Sequence, residues 1–383
     1  MELELTEDQE LFRQTTRKFL ATECPIATVR ALEHEPAGFD PDWWRAGAEL
    51  GWTSMLVSED HGGGSLSDHG LSDLVLVAEE MGRMVSPGPL APTNVVAAAL
   101  AESGTAEQGA ALLAKIAAGE VVAAWAHAEP GAVPGAEGVA LVATPDGEGF
   151  VLSGTKAPVE AGAEAAQLLV SGRIADAPPG RDLLQVLVPT DAEGVSVRPM
   201  ESLDLVRRFA EVRFDDVSVP ASAVVGDAGK AEASVERQLQ LAVVLQCAET
   251  VGAVDRAFEM TLEYLGDRYS FGRPLSSYQA LKHRCADMKM WLEACHAIAT
   301  AAARAVAGSA PNAAELVSAA KAYIGSHAHD IVQDCVQLHG GIGVTWEHDL
   351  HLYLRRVTVN AATHGTVVQH RERIATQLAG ASR

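Results

Sequence analysis

Three stretches of this 383-residue sequence carry side chains of the kinds that bind or transform small molecules. The first is Arg268-Tyr-Ser-Phe-Gly-Arg-Pro-Leu275, followed by Tyr278 and Gln279. Arg268 offers an anion a forked, charge-assisted contact, Gln279 offers an amide, and Phe271 offers an apolar face. The second, Gln337-Leu-His-Gly-Gly341, joins an amide to two residues without side chains, whose backbone can approach a ligand closely. The third is Thr363-His-Gly-Thr366, where His364 supplies an imidazole able to act as a base near neutrality. Each also has a purely structural reading: Gln279 completes a capping box with Ser276, Phe271 fills a core, and Gly340-Gly341 ends a helix. His327/His329 and His348/His351 invite a metal, but no Asp, Glu or Cys stands at ligand spacing, and none is expected. Gly62-Gly-Gly64 lacks the Lys-Ser/Thr of a phosphate loop.

The elements that must position these residues fall into three segments. Residues 1–120 read as a helical domain, opening with a Thr6/Gln9 capping box ahead of Leu11, Phe12, Thr15, Phe19 and Leu20. Residues 121–231 shift towards a period of two, with strands expected at 139–142, 150–152, 167–170, 183–188, 195–197 and 210–214, hence a small antiparallel barrel or sandwich. Residues 232–383 return to helix. One long helix is expected over 235–265, a second from the Ser276/Gln279 box to about Ala307, and a third from an Asn312/Glu315 box to Gly340. Long helices on short loops predict a four-helix bundle. The fold class is therefore α+β, mainly α.

A formal charge of −22 argues against nucleic-acid binding and against docking on an anionic membrane. No apolar run approaches the roughly 18 residues of a membrane span. The acidic start Met1-Glu-Leu-Glu-Leu5 lacks the apolar stretch of a secretory leader, and five scattered cysteines suit buried thiols in a reducing cytoplasm.

Taken in order, several words resemble the acyl-CoA dehydrogenase family over nearly the whole chain. They are Leu5-Thr-Glu-Asp-Gln9, Ser58-Glu-Asp-His-Gly-Gly63, Glu129-Pro-Gly131, Leu152-Ser-Gly-Thr-Lys156, Phe214-Asp-Asp-Val-Ser-Val-Pro220 and the first two stretches above. The resemblance implies an N-terminal helical domain, a middle β domain, a C-terminal four-helix bundle and FAD held across a dimer interface. In that family one chain's β domain holds the flavin ring and the partner's bundle holds the adenosine end. Carried over, Arg268, Ser270, Phe271, Leu275, Tyr278, Gln279, Gln337, Leu338, Gly340 and Gly341 bind FAD, with Arg268 on a pyrophosphate oxygen. An acyl-CoA substrate and an electron-transfer acceptor are implied as partners.

The ring-holding half departs from the family pattern. Ala132-Val-Pro-Gly-Ala-Glu137 stands where small and hydroxyl residues are usual, and Ala157-Pro158-Val159-Glu160 where an aromatic residue backs the ring. Pro158 removes a backbone donor and Glu160 brings negative charge. The usual catalytic Glu is replaced by His364, and the alternative position for it falls on Ala242. Glu249, two turns beyond Ala242, reads as structural. Three functions remain open. The chain is similar to the non-catalytic subunit of actinobacterial α2β2 steroid acyl-CoA dehydrogenases, which pairs with a homologous catalytic subunit; Trp346-Glu-His-Asp-Leu-His-Leu-Tyr353 shares that likeness. The alternatives are a homo-oligomeric dehydrogenase, oxidase or monooxygenase using His364, and a flavin-free scaffold.

Overall fold

The computed structural model describes residues 5–67 and 69–381; Met1–Glu4, read above as lacking a leader, lie outside that range. The chain opens with six helices, α1 (Glu7–Glu23), α2 (Ile26–Ala31), α3 (Pro41–Glu49), α4 (Gly70–Met84), α5 (Leu90–Ser103) and α6 (Ala106–Ala117). The Thr6/Gln9 capping box forms as expected, each residue satisfying the other's backbone N–H. The buried face of α1 keeps Phe12, Phe19 and Leu20 of the expected set, but Leu11 and Thr15 turn outward. Thr16 and Leu20 point inward beside Phe12 and Phe19, while Leu11 is 65% exposed.

Seven strands follow: β1 (Ala123–Ala126), β2 (Val142–Asp146), β3 (Gly149–Glu160), β4 (Gln167–Ile174), β5 (Leu183–Pro189), β6 (Val195–Met200) and β7 (Phe209–Val219). The sheet is mixed rather than antiparallel. β1 and β2 run end to end, parallel to β4 along one edge, β5 pairs antiparallel with its other edge, and β2-β3-β7-β6 continue antiparallel. The run expected as a strand at 139–142 mostly lies between strands. Val139 and Leu141 are buried; Arg173 Nε donates to the Val139 carbonyl (2.6 Å), and Arg173 N donates to that of Leu141 (2.8 Å), where the β2–β4 ladder begins.

α7 (Glu232–Asp267) is the spine of the molecule, about 54 Å long at 1.5 Å per residue. It packs against α4, α5, α8 (Gln279–Ala307), α9 (Ala313–His339) and α10 (Leu350–Ala362); α11 (Val367–Ala381) lies on α9. At the α4–α7 crossing a Cβ on Gly82 would sit 1.9 Å from the Glu249 carbonyl oxygen, and one on Gly252 1.9 Å from that of Glu79. Backbone touches backbone there, which only glycine permits. One apolar cluster runs from Leu20 through Trp44, Leu74 and Val254 to Val357, so α1 and α10 share a core; the sheet closes a separate one around Leu152, Val170 and Phe214. The Ser276/Gln279 box does not form, because residues 275–277 make a 3-10 turn and α8 starts at Gln279 behind Tyr278. Asn312 does precede α9, but its side chain makes no cap bond. Among the described residues no helix is long and apolar enough to cross a membrane.

Candidate functional site

The sheet, α5, α7 and the α10–α11 turn enclose a cavity of about 330 Å³. His364 and Ala242, one from each candidate position for the base, both line it. His364 sits in the turn after α10 with φ +56°, followed by Gly365 at +100°, a left-handed pair that lets the chain reverse into α11. Its ring stacks on Trp125 (centroids 6.0 Å apart), which stacks in turn on His127 (4.5 Å). Burial, reinforced by Lys321 and Arg207, pushes the His364 imidazole down to about 3; burial, with Lys156, does the same to His127. Both rings are neutral at pH 7, and a base whose conjugate acid is that strong is a poor proton acceptor.

The carboxylates on the cavity wall are already engaged. Glu129 accepts from Lys156 Nζ (2.6 Å) and from the backbone N–H groups of Ala140 (2.8 Å) and Leu141 (2.9 Å). Lys156 is fully buried, and that burial pulls it down to about 8. Glu160 receives both arms of Arg207, at 3.0 and 2.6 Å. Behind it Arg207 reaches Glu249 (2.9 Å) and Asn360, and Arg356 reaches Glu249 (2.6 Å) and Asp204. Arg356 also donates to the backbone carbonyls of Val85 and Ser86. The chain Glu160–Arg207–Glu249–Arg356–Asp204 thus ties the α4–α5 turn, the sheet and the bundle together. Glu249 is structural, as the sequence suggested. Arg207, Arg356, Asp204 and Asn360 carried no recognisable motif.

The residues expected to bind FAD lie elsewhere, and none lines the cavity. Tyr269–Ser270 and Arg273–Pro274 form a short hairpin, β8–β9, whose two-residue turn is Phe271 (φ +50°) and Gly272 (φ +80°). Positive φ at both positions is the turn that suits hairpin twist, and phenylalanine is an unusual choice for it. Phe271 is 97% exposed. Tyr278 donates its hydroxyl to the Ser270 carbonyl (2.8 Å), and Arg273 lies 3.9 Å over the Tyr278 ring, so the hairpin is braced from behind. Tyr264 stacks on His339 (4.4 Å) and Arg284 pairs with Asp334, which brings the hairpin and the α9 terminus to one end of the bundle. Arg268, Gln279, Gln337, Gly340 and Gly341 are exposed there. Gly340 takes φ +64°, and a Cβ on it or on Gly341 would meet nothing within 4 Å, which leaves an open backbone cradle. Leu338 is buried in the core, and Leu275, partly buried, packs against it.

Three of these four histidines pack as aromatic rings: His327 on Tyr323 (4.2 Å), His348 on His339 (4.6 Å) and His351 on Trp346 (4.4 Å); His329 Nε2 lies 3.4 Å from Gln333 Nε2. Glu79, Asp255 and His296 also converge, with His296 Nε2 3.0 Å from Asp255 and Arg83 alongside at 3.9 Å.

Two family signatures match this architecture, the acyl-CoA dehydrogenase N-terminal domain over residues 6–120 and the C-terminal domain over residues 233–379. The acyl-CoA dehydrogenase IpdE2 of Mycobacterium tuberculosis is 30% identical over 353 residues, 91% of each chain. This chain belongs to the acyl-CoA dehydrogenase family. A solved variant of the Tcur3481-Tcur3483 steroid ACAD is 30% identical, with a TM-score of 0.86 over 98% of this chain and 99% of that one. FAD is the cofactor of the family. A Mycobacterium smegmatis glutaryl-CoA dehydrogenase, solved in complex with FADH2, shares the fold at 24% identity and a TM-score of 0.88, over 98% of this chain and 95% of that one.

The two halves of this acyl-CoA dehydrogenase chain fit FAD unequally. The bundle end presents an exposed cation, two amides, an aromatic tip and an open glycine backbone, a donor set suited to a dinucleotide's phosphates and adenosine. The cavity is a poorer match for an isoalloxazine ring, whose polar edge needs hydrogen-bond donors. Pro92, Pro130, Pro134 and Pro158 in its wall have no N–H. The N–H groups of Ala132, Ala157 and Thr366 donate to Glu129, Ala128 and Gln369.

Proposed function

We propose that this chain is a subunit of a heteromeric, FAD-dependent acyl-CoA dehydrogenase that lends the adenosine side of the flavin site to a homologous catalytic partner. The observation that carries the reading is the contrast between Phe271, 97% exposed on a braced hairpin beside the Gly340-Gly341 cradle, and a cavity whose described residues offer a flavin ring no competent base and, besides the His364 imidazole, few free donors. FAD, when bound, accepts a hydride from the β-carbon of an acyl-CoA while a base removes the α-proton. At the two base positions this chain offers a methyl group, Ala242, and an imidazole held near 3, His364. Arg268, Phe271, Gln279 and Gln337 then hold the adenosine and pyrophosphate of an FAD whose ring lies in the partner. The likeness to the Tcur3481-Tcur3483 steroid ACAD supports a two-component assembly and a steroid side-chain CoA as substrate class. An α2β2 assembly of this kind carries two flavins, because only the partner's chains supply ring-holding halves. The test is flavin absorbance per complex of known mass after co-expression with candidate partners. Two flavins per tetramer and a colourless chain when purified alone are expected; four per tetramer, or a yellow chain alone, refutes the reading.

A further inference from the structure

We propose that the cavity between Trp125, His364 and Ala242 binds a neutral, mainly apolar molecule bearing one carbonyl or hydroxyl group. The inference builds on the half-site reading, since a flavin ring in the same place would exclude it.

The volume, about 330 Å³, lies within the range of cavities that hold small organic ligands. Charge decides the class. Among the described residues no Lys or Arg lines the cavity, and its two carboxylates are neutralised from behind by Lys156 and Arg207. A carboxylate or phosphate entering would lose its hydration and find no cation, which is costly. An ammonium group would find Glu129 and Glu160 already paired. A neutral molecule meets no such penalty, and the stacked Trp125 and His127 rings give it a flat aromatic wall. One polar contact is on offer. The His364 ring lines the cavity and makes no hydrogen bond to any described residue, and a neutral imidazole carries one donor and one acceptor. A carbonyl or hydroxyl on the ligand completes it.

The experiment titrates the full chain, first verified free of flavin, with Nile red, a neutral, planar dye that carries a carbonyl and brightens in apolar surroundings. Nonyl methyl ketone and undecanoate, of equal chain length and different charge, then compete. Saturable dye uptake is expected, with the ketone displacing the dye at least tenfold more effectively than the carboxylate. His364→Phe keeps an aromatic ring and removes the nitrogens; it is expected to weaken the ketone about threefold to tenfold, the usual worth of one neutral hydrogen bond. Ala242→Phe fills the cavity and is expected to abolish uptake; where that variant does not fold, Ala91→Phe on the α5 side of the wall makes the same test. No saturable uptake, equal competition by undecanoate, or full uptake by a folded cavity-filling variant overturns the inference. Displacement of the dye by added FAD, with the chain turning yellow, instead overturns the half-site reading.

Discussion

Arg356→Met is the sharpest probe of what joins the three segments of this chain. The arginine is fully buried, and it holds Asp204, which is 1% exposed, together with Glu249 and the backbone oxygens of Val85 and Ser86. Methionine keeps much of the volume and removes the charge. Asp204 would retain the N–H bonds from Val206 (3.0 Å) and Arg207 (3.1 Å), but its direct cation would be gone. Breaking one partner out of a buried ion pair costs about 3–5 kcal/mol. In a chain of this size that is roughly a 4–6 °C fall in melting temperature at pH 7. The pH dependence fixes the cause. In the native protein burial alone would raise Asp204, but Arg356 outweighs it and holds the carboxyl below its usual value. That stabilisation is present above the unfolded pKa and is lost as pH falls through the lower, folded one. In Arg356→Met burial dominates, the folded pKa of Asp204 moves above the unfolded value, and acid stabilises the variant relative to wild type. The deficit should therefore narrow between pH 7 and 4.5, and Asp204→Asn in the Arg356→Met background should recover part of it. Calorimetric melting at both pH values gives the answer. A deficit below about 1 kcal/mol, or one that stays constant with pH and is not relieved in the double variant, would refute the ion-pair account.

Three further outcomes are expected. Arg268→Ala removes a charge-assisted contact of about 1.5–3 kcal/mol, so FAD affinity of the assembled complex, measured by flavin release on dilution, should fall roughly tenfold to a hundredfold, while Pro158→Ala leaves it unchanged. His364→Ala should leave dehydrogenase turnover of the complex within a few-fold, whereas a catalytic base would cost on the order of 10²-fold or more. Gly252→Ala should lower the urea midpoint of unfolding by an amount equivalent to about 1–3 kcal/mol despite its better helix propensity, because the added methyl would lie 1.9 Å from the Glu79 carbonyl oxygen.

The long helices were legible because their apolar period persists over many turns. The C-terminal ends of α8 and α9, Ala307 and His339, fall within a residue of the ends expected at Ala307 and Gly340. The convergence of His364 and Ala242 on one cavity was also legible, through family resemblance rather than through any local pattern. β1 was missed because Ala123-Ala-Trp-Ala126 lacks β-branched residues and its pairing partner, β4, is some forty residues away. The parallel pairings of β1 and β2 were invisible for the same reason, since register against a distant strand leaves no mark on local sequence. The clasp is the extreme case. Arg356 meets Asp204 across 152 residues, and nothing near either residue announces the other. The Ser276/Gln279 box failed through competition, the chain taking a 3-10 turn in which Ser277 donates to the Pro274 carbonyl instead.

The core that the N-terminal helices share with α7–α10 bears on how the protein is made. As the chain leaves the ribosome, α1–α6 emerge with Leu20, Trp44 and Leu74 still lacking their partners on α7–α10. The residues between α6 and α7 then take roughly 6–23 s to synthesise at about 5–20 residues per second. In that interval the sheet can close its own core, since Leu152, Val170 and Phe214 need nothing from the bundle. Folding during synthesis is therefore nested, with the core whose residues appear first being completed last. The N-terminal helices spend those seconds as an unfinished apolar surface, the stage at which a chaperone has most to hold.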